Sequence, residues 1–341
     1  MNDLESIRTR APRYIGDKST RGVHIVVFEA IDNAIDQFLR KDATRIVVSV
    51  DGKHVIVSDD GAGYPFDRLD NEGHSLGTTY LTSFHDKNTA DDHVPHVHCL
   101  TIGCGLFCLN ALSEKLIVSS WRNGQFWRQE FSRGLALTAA QVVTTGIGRG
   151  TTVDFVIDSQ IFPNSAPDVL RLGSQVMSSA YLFPGLRFLY QEKEYCFVNG
   201  LKDLVSDHVA NPESRISGPD ATSNWSDRPV FYTQHECDDF YLQAAAFGET
   251  DQETEWLMFA NGAQSFAGGT HLVAFRQVLS RRVRWRPAVA AMSVTMMNPQ
   301  FSGPTRTFLD VPQMKKAFVE ALSPDLRAYC EKYGIGRFAS N

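Results

Sequence analysis

FEAIDNAID (28–36) sits at the centre of a run, 21–40, whose apolar residues recur at helical spacing. Val23, Val26, Val27, Ala30, Ile31, Ala34, Ile35 and Phe38 define one buried face of the expected helix. Glu29 and Asn33 stand at i and i+4, on one face away from that stripe, with Asp32 and Asp36 beside them. A carboxylate and an amide oxygen so placed suit a general base and a Mg²⁺ ligand. A solvated acidic face is the competing reading of the same residues.

Working outward, Arg45–Val50 and His54–Ser58 are β-rich and joined by Asp51-Gly52, a strong hairpin signal. DDGAGYP (59–65) breaks the second strand. Asp59 can accept a hydrogen bond from an amino group there, while Gly61 and Gly63 let the backbone approach a flat ring. An ordinary glycine turn is the alternative. Residues 72–98 read as a long polar loop with one short helix. Gly103-Cys104-Gly105 opens a helix, presenting free N–H groups and a positive dipole end to phosphates. A second hairpin, Lys115–Trp121 and Gln125–Phe131, turns on Asn123-Gly124. A strand at Gly150–Ile157, opened by Gly150-Thr151-Thr152, a helix at 166–182 and a strand at Tyr195–Val198 follow.

ANPESRISGPDATSNWSDRP (210–229) has almost no apolar content and is the best domain boundary in the chain. Beyond it lie strand-like runs at Phe240–Ala246 and Trp256–Ala260, a helix at 268–282, a strand near 288–296 and a final helix at 311–331. With 341 residues, 43% hydrophobic and 21% charged, the chain has room for two domains and is neither disordered nor fibrous. A net charge of −6 argues against wrapping bare DNA by itself, though a local basic patch is still able to bind it. The six cysteines form no CxxC pair, MNDLESIRTR has no apolar h-region, and no apolar run reaches the ~18 residues of a membrane span. A cytoplasmic protein with no membrane partner is expected.

The order helix with E-x-x-D-N, strand with DDGAG, loop, G-x-G helix and strand with GTT resembles the signature of the GHKL superfamily of ATPases. The resemblance is strongest to the ATPase and transducer region of gyrase B and related type IIA topoisomerases. LESIRTRAPRYIGD (4–17), GCGLFCLNALSEKL (103–116), GTTVDF (150–155) and YLFPGLRF (181–188) carry it in the first half. FANGAQSFAGGTHLVAFR (259–276) and NPQFSGPTRTFL (298–309) carry it in the second. It implies an α+β chain: a GHKL (Bergerat) α/β sandwich at 1–209, a linker at 210–227 and a smaller, S5-like transducer domain at 228–341. It also implies ATP and Mg²⁺, with Glu29 as the base that activates water, Asn33 as the metal ligand and Asp59 as the adenine-binding carboxylate, helped by Thr151. Gly61 and Gly63 would line the adenine pocket, Gly103 and Gly105 the phosphate side, and Lys87 is a weaker phosphate candidate.

The departures from that pattern bear on rate and role. The family pairs an Arg with a Glu where this chain has Ala62 and Gln37, and its lid His is Ile102. The transducer's Gln-Thr-Lys loop becomes Pro304, Thr305 and Arg306; Arg306 keeps the charge, but Pro304 has no side-chain amide. The resemblance begins almost at the family's first helix, without the arm that closes the ATP dimer, and no metal-binding TOPRIM segment follows. A divergent stand-alone paralogue with slow hydrolysis is therefore expected, coupling nucleotide state to dimerisation or inter-domain movement. A nucleotide-gated module or topoisomerase decoy, and an ATP-dependent ligase or kinase of another substrate, remain alternatives. His93, His96, His98 and Cys99 could hold a metal, though their spacing fits no familiar zinc pattern. Arg281, Arg282, Arg284 and Arg286, with Trp285 among them, could touch DNA or an acidic topoisomerase-type partner; a solvated helix end is the alternative.

Overall fold

The computed structural model describes residues 2–84, 96–99, 105–211, 228–303 and 306–336. The chain divides into two compact units, Met1–Ala180 with Gly185–Cys196, and Tyr181–Pro184 with Phe197–Asn341.

The first unit opens with α1 (Asp3–Thr9), α2 (Pro12–Ile15) and the long α3 (Thr20–Leu39), which the Ser19 hydroxyl caps by accepting from the Arg21 N–H. A hairpin follows, β1 (Arg45–Asp51) and β2 (His54–Asp59), then the short α4 (Leu76–Thr82) and α5 (Gly105–Ala111). Strands β3 (Ser113–Arg122), β4 (Gln125–Ser132), β5 (Leu135–Ala136), β6 (Gln141–Thr145) and β7 (Gly150–Ile157) come next. Helix α6 (Val169–Leu182) leads to β8 (Arg187–Tyr190) and β9 (Lys193–Tyr195). The sheet runs β5-β4-β3-β7-β2-β1-β8-β9, with β6 also on β4, and every pairing but β1 with β8 is antiparallel.

Both hairpins read from Asp-Gly and Asn-Gly form where expected: Gly52 takes the positive φ of the first turn, just after Asp51 ends β1, and Asn123 and Gly124 take it in the second. Helix α3 is buried on more than the one face the periodicity marks: His24, Ile25, Phe28, Glu29 and Asp32 are also covered. The expected strand at Tyr195–Val198 is shifted, with pairing at 193–195 instead. Strands β5 and β6 have no sequence signal strong enough to stand out, being short and largely exposed.

The second unit holds α7 (Leu201–Ala210) and a five-stranded sheet ordered β10 (Phe231–Glu236), β11 (Phe240–Phe247), β15 (Val289–Met296), β12 (Glu255–Ala260) and β13 (Ala263–Gln264). Central β15 is buried at every residue, so its sequence shows no alternation. Two-residue strands β14 (Gly268–Gly269) and β16 (Phe308–Leu309) pair in parallel. Helix α8 (Thr270–Gln277) passes directly into a π-helical turn, Val278–Val283, which ends on Arg284 in the left-handed region at φ 52°. The single helix expected at 268–282 is thus two kinds of helix. The last helix, α9, spans Lys315–Tyr333. Residues 212–227, most of the expected linker, lie outside the described residues. No described helix is long and apolar enough to cross a membrane.

Candidate active site

Three carboxylates of α3 are each engaged by the main chain of the segment that follows α4. Glu29 is 5% exposed, and its Oε2 accepts the Gly105 N–H at 2.9 Å. Asp32 is 4% exposed, and both its oxygens lie 3.2 Å from the Cys99 nitrogen. Asp36 accepts the Val97 N–H at 3.0 Å and meets His96 Nδ1 at 2.6 Å. Burial, reinforced by the neighbouring charge of Glu29, raises the Asp32 pKa well above the carboxylate range and favours its protonated form. These contacts exclude the solvated-face reading for Glu29 and Asp32. Asn33 is half-buried one turn beyond Glu29, and no described residue takes its side-chain amide.

At the end of β2, Asp59 and Asp60 have opposite fates. The Asp59 carboxylate accepts the Gly61 N–H at 2.8 Å and the Thr151 N–H. Burial nevertheless pushes its pKa up to about 7; the two N–H donors oppose the rise and the charge of Asp60 adds to it. Asp60 turns back and accepts from the Thr44 N–H at 2.7 Å, the Thr44 hydroxyl at 2.6 Å and the Arg45 N–H at 2.9 Å. Burial penalises its charge, yet those donors prevail and its pKa is lowered.

Two glycines fix the loop around Asp59. Gly63 has φ +85°, and a Cβ on it would lie 2.2 Å from the Trp121 carbonyl oxygen. Gly150 has φ +98°, and its Cβ would lie 1.9 Å from the Asp59 carbonyl oxygen. Neither position admits a side chain. The rim is rebuilt where the family pattern is broken: the Ala62 N–H donates to Gln37 Oε1 at 3.3 Å. Sequence reasoning missed Arg122, whose Nε meets Asp67 at 2.8 Å and whose NH1 donates to the Gly63 carbonyl at 3.1 Å. Asn123 Nδ2 holds the other oxygen of Asp67 at 2.6 Å. A strand-end Arg before Asn-Gly carries no signal for this; only the register of β3 brings it to the loop.

No family model matches the sequence. The chain is 28% identical to the gyrase B protein of Campylobacter jejuni over 98% of its own length and 46% of that protein. It is 29% identical to the gyrase B protein of Streptococcus pneumoniae, over 95% of this chain and 54% of the relative. Among solved structures, the 43K ATPase domain of Thermus thermophilus gyrase B, in complex with an aminocoumarin, superposes with a TM-score of 0.79 at 25% identity, covering 97% of this chain and 90% of that one. The chain has the GHKL fold of the gyrase B ATPase region. Gyrase B from Myxococcus xanthus shares that fold, with a TM-score of 0.74 at 22% identity. The chain spans about half the length of the curated relatives it matches, 46% and 54%.

Within this gyrase-B-like frame, Glu29, Gly105 and Asn33 gather at α3, and Asp59, Gly61, Gly63 and Thr151 gather at the end of β2. Lys87 and Gly103 lie outside the described residues, as do Cys104, His93, Pro304 and Thr305. Arg306 belongs to the second unit, in the left-handed region at φ 54°, with its guanidinium 5.5 Å from the centre of the Phe301 ring. Among the described residues no three His, Cys, Asp or Glu side chains converge as a metal site, and His96 and Cys99 are engaged by Asp36 and Asp32. Arg281, Arg282, Arg284 and Arg286 are exposed, whereas Trp285 is buried and donates its Nε1–H to the Gly248 carbonyl at 2.9 Å. The tryptophan is core packing, not a stacking platform beside the arginines.

Proposed function

We propose that the chain binds ATP with Mg²⁺ and hydrolyses it slowly, coupling nucleotide state to dimerisation or to movement between its domains. The observation that carries this reading is the buried Glu29 carboxylate at the N–H of Gly105, the residue that closes the Gly-Cys-Gly motif. The likeness to gyrase B ATPase regions supports ATP binding and hydrolysis at the level of the family.

In the proposed step, a Glu29 oxygen takes a proton from water as the water oxygen bonds to the γ-phosphorus. The bond to the β–γ bridging oxygen breaks, and ADP and phosphate leave. Asp59 accepts the adenine amino hydrogen, beside Gly61, Gly63 and Thr151. Gly103 and Lys87 meet the phosphates while the Gly105 N–H stays on Glu29, and Arg306 supplies the charge that the resemblance assigns to the transducer loop. Asn33 fits the Mg²⁺ role because its amide oxygen has no described partner and Mg²⁺ takes few protein ligands beside phosphates and water. The ion, when bound, offsets phosphate charge.

A second reading, a nucleotide-gated module with little turnover, is favoured by the same contact, because the Gly105 N–H already occupies one oxygen of the proposed base. The four exposed arginines at 281–286 are the proposed contact for DNA or a topoisomerase-type partner, and a cytoplasmic setting accords with that role. The deciding experiment is Mg²⁺-dependent ATP turnover beside Glu29→Gln. A fall of about 100-fold or more is expected in the variant. Binding without turnover above the variant would leave the gated module.

A further inference from the structure

Helix α5 has only seven residues, and both of its ends are held by side chains distant in sequence. At its start, the Gly105 N–H donates to Glu29 Oε2 at 2.9 Å. At its end, Arg8 of α1 donates through NH1 to the Ala111 carbonyl at 2.7 Å, one of the carbonyls a helix C-terminus leaves without an internal partner. The other arm of the same guanidinium meets Asp158 Oδ2 at 2.8 Å and the Gln160 side chain at 3.3 Å. Asp158 is fully buried just beyond β7 and also takes Arg133 Nε at 3.1 Å. Burial penalises its charge, but the Gln160 N–H and the two guanidinium groups outweigh this and hold its pKa low. Asp158 is therefore a fixed anionic post to which Arg8 is tied. Between its ends α5 is buried from Leu106 to Ala111, and Asn110 Nδ2 donates to the Leu81 carbonyl at 2.8 Å.

We propose that Arg8 is a positioning residue for the reaction at Glu29, which rests on the ATPase reading above. The guanidinium fork sets the C-terminal end of a short, tightly packed helix, and the helix carries that setting to the N–H that aims the base. A displacement of about an ångström at a reacting group is enough to cost ~100-fold in rate. Arg133 provides the control, because it holds the same Asp158 oxygen and none of its described hydrogen bonds reaches α5; its main-chain N–H goes to the Ser113 carbonyl at the start of β3. Both arginines serve the buried carboxylate. Only Arg8 also holds α5.

The test compares Arg8→Met with Arg133→Met in the full chain by two readouts. In steady-state ATP turnover, Arg8→Met should lower kcat about tenfold with KM within about twofold, while Arg133→Met keeps both within about twofold at a comparable loss of melting temperature. In hydrogen–deuterium exchange without nucleotide, the peptide from 105 to 112 should exchange about tenfold faster in Arg8→Met and be unchanged in Arg133→Met. Equal exchange in the two variants, or a kcat loss that merely tracks melting temperature in both, overturns the proposal. If Arg8→Met does not fold, Arg8→Lys replaces it; one ammonium cannot span both acceptors, so the same direction with a smaller change is expected. Selective exchange without any wild-type turnover above Glu29→Gln would sustain the link from Arg8 to α5, overturn its part in hydrolysis, and refute the ATPase reading separately.

Discussion

Asp59 and Asp60 are adjacent in sequence, yet one is held ready to accept a proton and the other is fastened to the start of β1. With a pKa near 7, Asp59 is about a tenth ionised at pH 6 and about nine-tenths at pH 8. Its ionised form is the better acceptor for an adenine amine, so ATP affinity, measured by titration calorimetry, should rise several-fold over that interval. Asp59→Asn should abolish the dependence and weaken binding by about 10- to 100-fold, the worth of one charged hydrogen bond. The stability linkage has the opposite sign. A carboxylate whose folded pKa exceeds its unfolded value contributes most at low pH, and that contribution is lost as pH rises from about 4 through 7. Asp59→Asn should therefore gain melting temperature relative to the parent at pH 8 and gain less at pH 5. The DDGAG motif made Asp59 legible as a candidate, but not this division of labour, because Thr44 and Arg45 reach Asp60 only once β1 and β2 have paired. Likewise Gln37 and Ala62 read as a lost ion pair, while their replacement by an amide-to-main-chain bond shows only in the folded chain.

At the scale of elements, glycines that look alike in sequence differ sharply in what they permit. Gly52, in the β1–β2 turn, has φ +57° and open space where a Cβ would project, whereas Gly150 combines φ +98° with a carbonyl oxygen 1.9 Å from that position. Gly52→Ala should cost about 1 kcal/mol, the left-handed penalty alone. Gly150→Ala should cost about 3 kcal/mol or more, because overlap adds to the backbone strain. Denaturant unfolding of both variants measures the contrast. The long helix α3 and the two hairpins were legible because periodicity and turn chemistry are local signals. The π-helical turn at 278–283 was not, since its extra residue per turn leaves the apolar spacing of Val278, Leu279 and Val283 compatible with an ordinary helix. Helix α7 and strand β10 went unread for a related reason: each buries only part of a short segment, so its pattern is faint.

For the whole molecule, a net charge of −6 sets the terms on which any nucleic acid is met. The four exposed arginines at 281, 282, 284 and 286 are the local exception. If they make the contact, duplex DNA binding followed by fluorescence anisotropy should fall with salt on a log–log slope no steeper than about −4, near −0.9 per phosphate. Arg281→Glu with Arg282→Glu should remove about half of that slope. Absence of binding at about 50 mM salt would dismiss DNA as the partner of this surface. The overall architecture was legible because the motifs occur in a fixed order, and order survives where single residues have changed. What sequence could not reveal was the network around Asp158, which joins Arg8, Arg133 and the end of α5 across more than a hundred positions.

The carboxylates of α3 impose a sequence of events in time as well as an arrangement in space. The N–H groups of Val97, Cys99 and Gly105 settle on Asp36, Asp32 and Glu29, which face one way only after α3 has wound. In a refolding chain the helix must therefore come before its clasp. Pulse labelling should find those three amides protected late, after the amides of α3 itself.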